Sequence, residues 1–306
     1  MERPDLNGLI AAIVTPMHSD LSIDETSLRR YVSWLVGQGV RGLAVNVDTG
    51  EGPHLFPEER LRVLEIVAEE VGSRALVVAG LVASFTEQAR RLAADTASAG
   101  AGALLVFPIS AYQGEPLDPE IPAAYHRAVA EASGLPLIAF QLQPALGGVN
   151  FSAEAIERIM STESVVAIKE ASFDAKRFVE TARLVHSLPT RPAVLNGNDN
   201  FLLEAYLLGA QGALLGFGTL ATREQAQLHQ AVRDHDLGRA FELRDQLQPL
   251  CDMIFSPPVR DYRARVKHAL MRLGVIDEAH VRPPLRPLSR QARDLVDRGL
   301  KQGGFL

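Results

Sequence analysis

The stretch PEERLRVLEIVAEEVGSRALVVAG, residues 57–80, decides the architecture. Within it Val63, Val67 and Val71 recur at helical spacing, Pro57 stands where a helix opens, and Gly72 stands where one closes. A short apolar run, Ala75 to Gly80, follows at once, with the length and Val content of a buried strand. One amphipathic helix leading into one short apolar strand is a unit of a parallel sheet covered by helices.

The same unit repeats outward in both directions. Strands are expected at Leu9 to Val14, Gly42 to Asn46, Ala75 to Gly80, Ala103 to Phe107, Leu135 to Phe140, Val165 to Lys169, Ala193 to Asn196 and Gly212 to Leu215. Helical periodicity marks Thr86 to Ser98, Pro119 to Ala132, Ala153 to Met160 and Asp174 to Leu188. Eight such pairs end near residue 235, close to the length of a (β/α)8 TIM barrel, and that is the α/β fold expected. We therefore divide the chain into a barrel, residues 1–235, and a C-terminal helical extension, residues 236–306. Helices are expected in the extension at Gly238 to Ile254, Val259 to Leu273 and Ser289 to Lys301, with Pro283, Pro284 and Pro287 breaking the last junction. A doubly wound open sheet would need a Gly-rich phosphate turn after an early strand, and none follows the first.

Composition removes several classes of function. The 306 residues are 47% hydrophobic and 22% charged, as in a folded globular chain. Thirty-one basic residues against thirty-seven acidic ones, a net charge of −6 and no long like-charge run leave no electrostatic footprint for nucleic acid. No apolar stretch reaches the length of a membrane span, and Met1 to Asn7 lacks the apolar segment of a secretory leader, so a cytoplasmic location is expected, with no membrane partner. Cys251 is the only cysteine and the eight histidines are scattered, so neither a disulfide nor a metal site is expected. Among the 31 basic residues only Lys169, Lys176, Lys267 and Lys301 are lysines. Where arginine serves nearly every surface role, a lysine in an apolar setting needs a chemical or structural reason.

Active residues of such barrels sit at the C-terminal ends of strands. Lys169 ends the apolar run Val165-Val166-Ala167-Ile168, and strand alternation groups it with Ala167 and Val165 on one side of the sheet. If that side faces inward, burial lowers the amine pKa and frees the neutral form to attack a carbonyl, which is what a Schiff base requires. The alternative is a lysine that snorkels to water or pairs with Glu170. After the second strand, Asp48-Thr49-Gly50-Glu51-Gly52 carries glycines that permit a sharp turn whose amides form a nest for a carboxylate, or it is a plain connecting turn. After the seventh strand, Gly197, Asp199 and Asn200 suit contacts to hydroxyls or a phosphate, as does Gly216-Phe217-Gly218 after the eighth; Asp199 or Asn200 equally suits a helix N-cap.

Taken together these segments resemble the dihydrodipicolinate synthase and N-acetylneuraminate lyase family of class I aldolases over nearly the whole chain. The resemblance rests on Gly8 to Pro16, Thr49-Gly50-Glu51, Ile168-Lys169-Glu170-Ala171, Gly197-Asn198-Asp199, Arg265-Val266-Lys267-His268-Ala269-Leu270 and Val281-Arg282-Pro283-Pro284-Leu285, in that order. It implies that Lys169 forms an imine with pyruvate or another 2-oxo acid, that the Asp48-Thr49 loop holds the carboxylate, and that the chains assemble as tetramers of paired dimers.

Departures from the family pattern bear on the chemistry. The family's relay tyrosine after strand five is Phe140 here, in the run Phe140-Gln141-Leu142-Gln143-Pro144. A phenyl ring moves no proton, so acid–base assistance worth roughly 10²- to 10⁴-fold has to come from another group or be absent. The family's loop hydroxyl is Asp48, and its tyrosine after strand four falls at Ser110, with Tyr112 two residues on. Asp48 either replaces the lost hydroxyl as acid–base group beside Phe140 or turns away and caps the loop; next to a carboxylate nest it needs a proton or a cation to offset its charge. No arginine stands between Gln143 and Gly148 to hold a second carboxylate, which argues against dihydrodipicolinate synthesis and toward a sugar-acid lyase or dehydratase, with Gln141, Gln143, Asp199 and Asn200 meeting hydroxyls.

The expectation is thus a Schiff-base lyase, an aldolase or dehydratase of a 2-oxo acid, oligomeric as a dimer or tetramer and needing no metal or organic cofactor. Its catalytic residues are Lys169, Asp48 and Ser110, and its substrate contacts are Thr49, Gly50, Phe140, Gln141, Gly197 and Asp199. The alternative is a barrel of the same descent that binds a small metabolite without turning it over.

Overall fold

In the computed structural model, which describes residues 3–306, eight parallel strands close into a barrel in sequence order. They are β1 (Gly8–Ala12), β2 (Gly42–Val45), β3 (Leu76–Leu81), β4 (Ala103–Val106), β5 (Leu137–Leu142), β6 (Val165–Ala171), β7 (Ala193–Asn196) and β8 (Gly212–Leu215). Helices α1 (Glu25–Val36), α2 (Pro57–Val71), α3 (Thr86–Ser98), α4 (Glu120–Ser133), α5 (Ala153–Met160), α6 (Ala175–Ser187), α7 (Leu202–Leu207) and α8 (Thr222–Arg233) cover the outside. The ring closes where β8 pairs with β1, Gly8 opposite Gly212 and Ala11 opposite Leu215. Beyond the barrel lie α9 (Leu237–Ile254), α10 (Tyr262–Arg272) and α11 (Arg290–Gln302); α9 is capped by Asp236, whose carboxylate accepts from the Arg239 amide at 3.0 Å. Among the described residues no helix is long and apolar enough to cross a membrane.

Two apolar layers hold the architecture. Alternate strand residues such as Ile10, Ala44, Val78, Leu105, Ile138, Ala167 and Leu214 fill the barrel, while their neighbours pack outward against the helices.

Two strands differ from the expected bounds in ways that shape the site. β5 starts at Leu137 because Pro136 has no N–H for the ladder, and the Leu137 amide makes the first bond, to the Ser164 carbonyl at 2.7 Å. β6 runs past Lys169 to Ala171, so Phe140 and Lys169 sit side by side in register, followed by Gln141 with Glu170 and Leu142 with Ala171. An irregularity early in this pairing, where Leu137 meets Val165 but Ile138 meets Ala167, breaks the simple alternation. Val165 consequently packs in the outer layer and Val166 in the inner one, so the expected grouping of Val165 with Lys169 is corrected to Ala167, Lys169 and Ala171.

Candidate active site

A cavity of about 930 Å³ opens at the C-terminal ends of the strands, and Lys169 lies in its wall. The lysine Nζ stands over the Phe140 ring, 4.3 Å from its centroid, and Phe140 in turn meets Phe107 edge-on at 5.0 Å between centroids. Room for the lysine stem depends on Gly197, where a Cβ would lie 2.7 Å from Lys169 Cε. Burial pushes the amine down to about 8, opposed by the pull of the Asp199 and Asp48 charges. Burial raises the Asp199 carboxyl to about 6, against the Phe217 amide, which donates to it at 2.8 Å, and the Lys169 charge.

The loop after β2 forms the opposite wall. Asp48 and Thr49 line the cavity. The amides of Asp48, Thr49 and Gly50 have no acceptor among the described residues, as a carboxylate nest requires. Gly50 itself sits beneath the loop rather than in the cavity wall, and its carbonyl accepts from Thr15 Oγ1 at 2.8 Å. Asp48 neither points away as a loop cap nor packs alone against Phe140. Its Oδ2 accepts from the Tyr262 hydroxyl at 2.8 Å, its Oδ1 pairs with the Arg263 guanidinium, and its carbonyl accepts from Arg263 Nε at 2.8 Å. Tyr262 Oη also lies 3.3 Å from Thr49 Oγ1. The cation that offsets the Asp48 charge is therefore Arg263.

Tyr262 and Arg263 open α10, in the extension, away from every strand end. The only trace of them in the sequence is their place just ahead of Arg265-Val266-Lys267. The extension is anchored to the same loop by a fully buried ion pair, Lys267 Nζ to Glu51 Oε1 at 2.5 Å. Lys267 also donates to the His280 carbonyl at 2.6 Å, and the Arg282 amide donates to Glu51 Oε2 at 2.8 Å. Of the four lysines, Lys169 and Lys267 are the two turned inward, whereas Lys176 and Lys301 are exposed.

Two expected site residues are placed elsewhere. Gln141 follows the inward Phe140 by one position, so it faces the helices, where it donates to Glu170 Oε1 and Thr181 Oγ1, each at 3.1 Å, and accepts from the Phe151 amide. Ser110 is exposed at the start of a 3-10 turn outside the cavity wall, and Tyr112, which ends that turn, is buried among Tyr125 and Phe151 away from the cavity lining. By contrast Asp48, Thr49, Phe140, Gln143, Lys169, Gly197, Asp199 and Asn200 all line one cavity. Arg260 and Arg263 reach the same cavity from the extension, so it does not lack cations although the Gln143–Gly148 segment does.

A lysine with a lowered pKa thus stands at the C-terminal mouth of a (β/α)8 barrel, in one cavity with a loop of unpaired amides. The chain belongs to the Dihydrodipicolinate synthetase family, whose model matches residues 5–303. It is 32% identical, over the full length of both chains, to a 4-hydroxy-tetrahydrodipicolinate synthase of Chlorobium phaeobacteroides. The structure superposes with a TM-score of 0.90 and 28% identity on a monomeric dihydrodipicolinate synthase variant, covering 98% of this chain and 97% of that one. With the Acinetobacter baumannii dihydrodipicolinate synthase, described as complexed with pyruvate, the TM-score is 0.87 and the identity 30%, covering 99% and 100% of the two chains. Members of the family are lyases, and this chain is a family member in sequence and in fold.

Proposed function

We propose that the protein is a Schiff-base lyase in which the Lys169 amine condenses with a 2-oxo acid such as pyruvate or a keto-deoxy sugar acid. The observation that carries this is Lys169 itself, held with a pKa near 8 in a cavity shared with the Thr49 loop. At pH 7 an amine of pKa 8 has roughly 300 times the neutral fraction of one at 10.5. The nest amides receive the substrate carboxylate, Arg263 offsets Asp48, and Phe140 shapes the wall without reacting. Once protonated, the imine draws electrons from the adjacent carbon, whose proton loss gives an enamine able to form or break a bond there. Lys169 supplies the covalent chemistry, so the reaction so described needs no metal or organic cofactor.

Two expectations change weight. The missing arginine after β5 no longer argues against dihydrodipicolinate synthesis, because Arg260 and Arg263 face the cavity and relatives at about 30% identity carry that synthase name. A binding-only barrel is not favoured, because the lysine is kept in its reactive setting. Assembly as a dimer or tetramer belongs to the same proposal, a monomeric variant being known among the structural relatives.

The test is proton exchange. In D2O the protein is expected to wash deuterium into the methyl group of pyruvate catalytically, followed by loss of the methyl signal in proton NMR; a folded protein that leaves the signal unchanged contradicts the enamine. A second expectation concerns pH. Only the neutral amine attacks, so the rate of cyanoborohydride trapping with pyruvate rises about tenfold per unit up to about pH 8 and then levels. A rate still climbing at pH 10 would mean an ordinary, unburied lysine.

A further inference from the structure

We propose that Tyr262, delivered from the extension, supplies the hydroxyl missing at Phe140 and relays protons between the substrate and Asp48. This rests on the imine chemistry proposed above.

Four observations converge on it. Phe140 turns its ring face to Lys169 and carries no hydroxyl, so it can pass no proton to or from the amine. Tyr262 is buried yet lines the cavity, stacked on Phe255 at 5.2 Å between centroids, which fixes the ring. Its hydroxyl donates to Asp48 at 2.8 Å and meets Thr49 Oγ1 at 3.3 Å, a chain of two hydroxyls ending on a carboxylate. Finally, a Cβ at Gly216 would lie 2.9 Å from Thr49 Oγ1, 3.3 Å from Tyr262 Cε2 and 3.7 Å from Asp199 Oδ1, so any side chain there would crowd the space these groups share. Burial raises the phenol well above its usual value, which keeps Tyr262 a neutral relay that passes a proton on as it receives one.

Two protons pass through the relay in turn. The Lys169 ammonium gives its proton through the Thr49 and Tyr262 hydroxyls to Asp48, leaving a neutral amine. The amine adds to C2 of the 2-oxo acid, the C=O π bond breaks, and a nitrogen proton moves to the oxygen to give the carbinolamine. The relay returns its proton to that hydroxyl, which leaves as water as the C=N bond forms. The relay then takes a proton from C3, and the enamine results. At the enamine Lys169 has given up two N–H protons and C3 one, water has carried two away and Asp48 holds one, and release of product reverses the exchange. No oxidant or reductant is involved.

The experiment pairs two readouts, borohydride-trapped adduct by intact mass and methyl deuteration of pyruvate by NMR, on the full chain. Tyr262→Phe keeps the stacked ring and removes only the hydroxyl. It is expected to reach the same final extent of adduct as the unaltered protein while deuteration falls at least about 100-fold. Phe140→Tyr added to Tyr262→Phe is expected to recover much of the loss, which a merely structural role would not allow. Asp48→Asn, which leaves Tyr262 in place, is expected to slow deuteration with adduct retained. Deuteration by Tyr262→Phe within threefold of the unaltered protein overturns the relay alone, as does parallel loss of adduct and thermal stability. No adduct in the unaltered protein overturns the imine chemistry and the relay with it.

Discussion

Lys169→Met will abolish pyruvate deuteration, a loss of at least about 10⁴-fold, because Lys169 is the one lysine among the described residues that line the cavity. It will also make the protein more stable, and that second effect distinguishes a chemical lysine from a structural one. The amine is pulled from 10.5 to about 8 on folding, so between those values the unfolded chain holds more protons than the folded one. Stability from this group therefore rises as pH climbs from 8 toward 10.5, and at pH 7 the full cost of burying the charge is present. A shift of this size corresponds to roughly 3 kcal/mol. Methionine keeps the stem against Phe140 and removes the charge, so denaturation at pH 7 should show a higher midpoint than the unaltered protein. A lower midpoint would mean that Lys169 supports the fold.

The other inward lysine should behave in the opposite way. Lys267→Met leaves Glu51 fully buried without its counter-ion, and breaking such a pair from one side costs about 3–5 kcal/mol. Against a total of about 5–15 kcal/mol for a typical protein, that is a large fraction. The melting midpoint should drop by about 10 °C. Glu51→Gln added to Lys267→Met removes the stranded charge and should restore most of the loss. Since Glu51 lies in the loop that carries Asp48 and Thr49, the single variant is also expected to lose deuteration activity at temperatures where it remains folded. A midpoint within 2 °C or so of the unaltered protein would show that the pair contributes little.

Much of this was legible in the sequence because the signals are local and periodic. The runs Ala193–Asn196 and Gly212–Leu215 and the helices Thr86–Ser98 and Ala153–Met160 are found with the bounds their patterns dictate. Lys169 stood out because a rare residue type ended an apolar run. Gln141 faces the helices and not the cavity for a reason that is also local, since a two-residue period that turns Phe140 inward turns its neighbour out. Ser110 stands at a position that only the resemblance implies, and it lies exposed at the start of a 3-10 turn. Tyr262 and Arg263 were invisible on different grounds. They lie more than 200 residues from Asp48, in a segment with no strand end to draw attention to it, and only folding of the extension over the barrel mouth brings them to the loop. The sequence showed that a hydroxyl was missing at Phe140 and a cation missing after β5; it did not show that α10 brings both kinds of group to the cavity.

The most direct measurement is borohydride reduction of the protein in the presence of pyruvate, followed by intact-mass and peptide analysis. One added pyruvate less one oxygen per chain is expected, carried by Lys169, and none in Lys169→Met. A folded protein that gains no mass, or gains it on Lys176 or Lys301 at the surface, would contradict it.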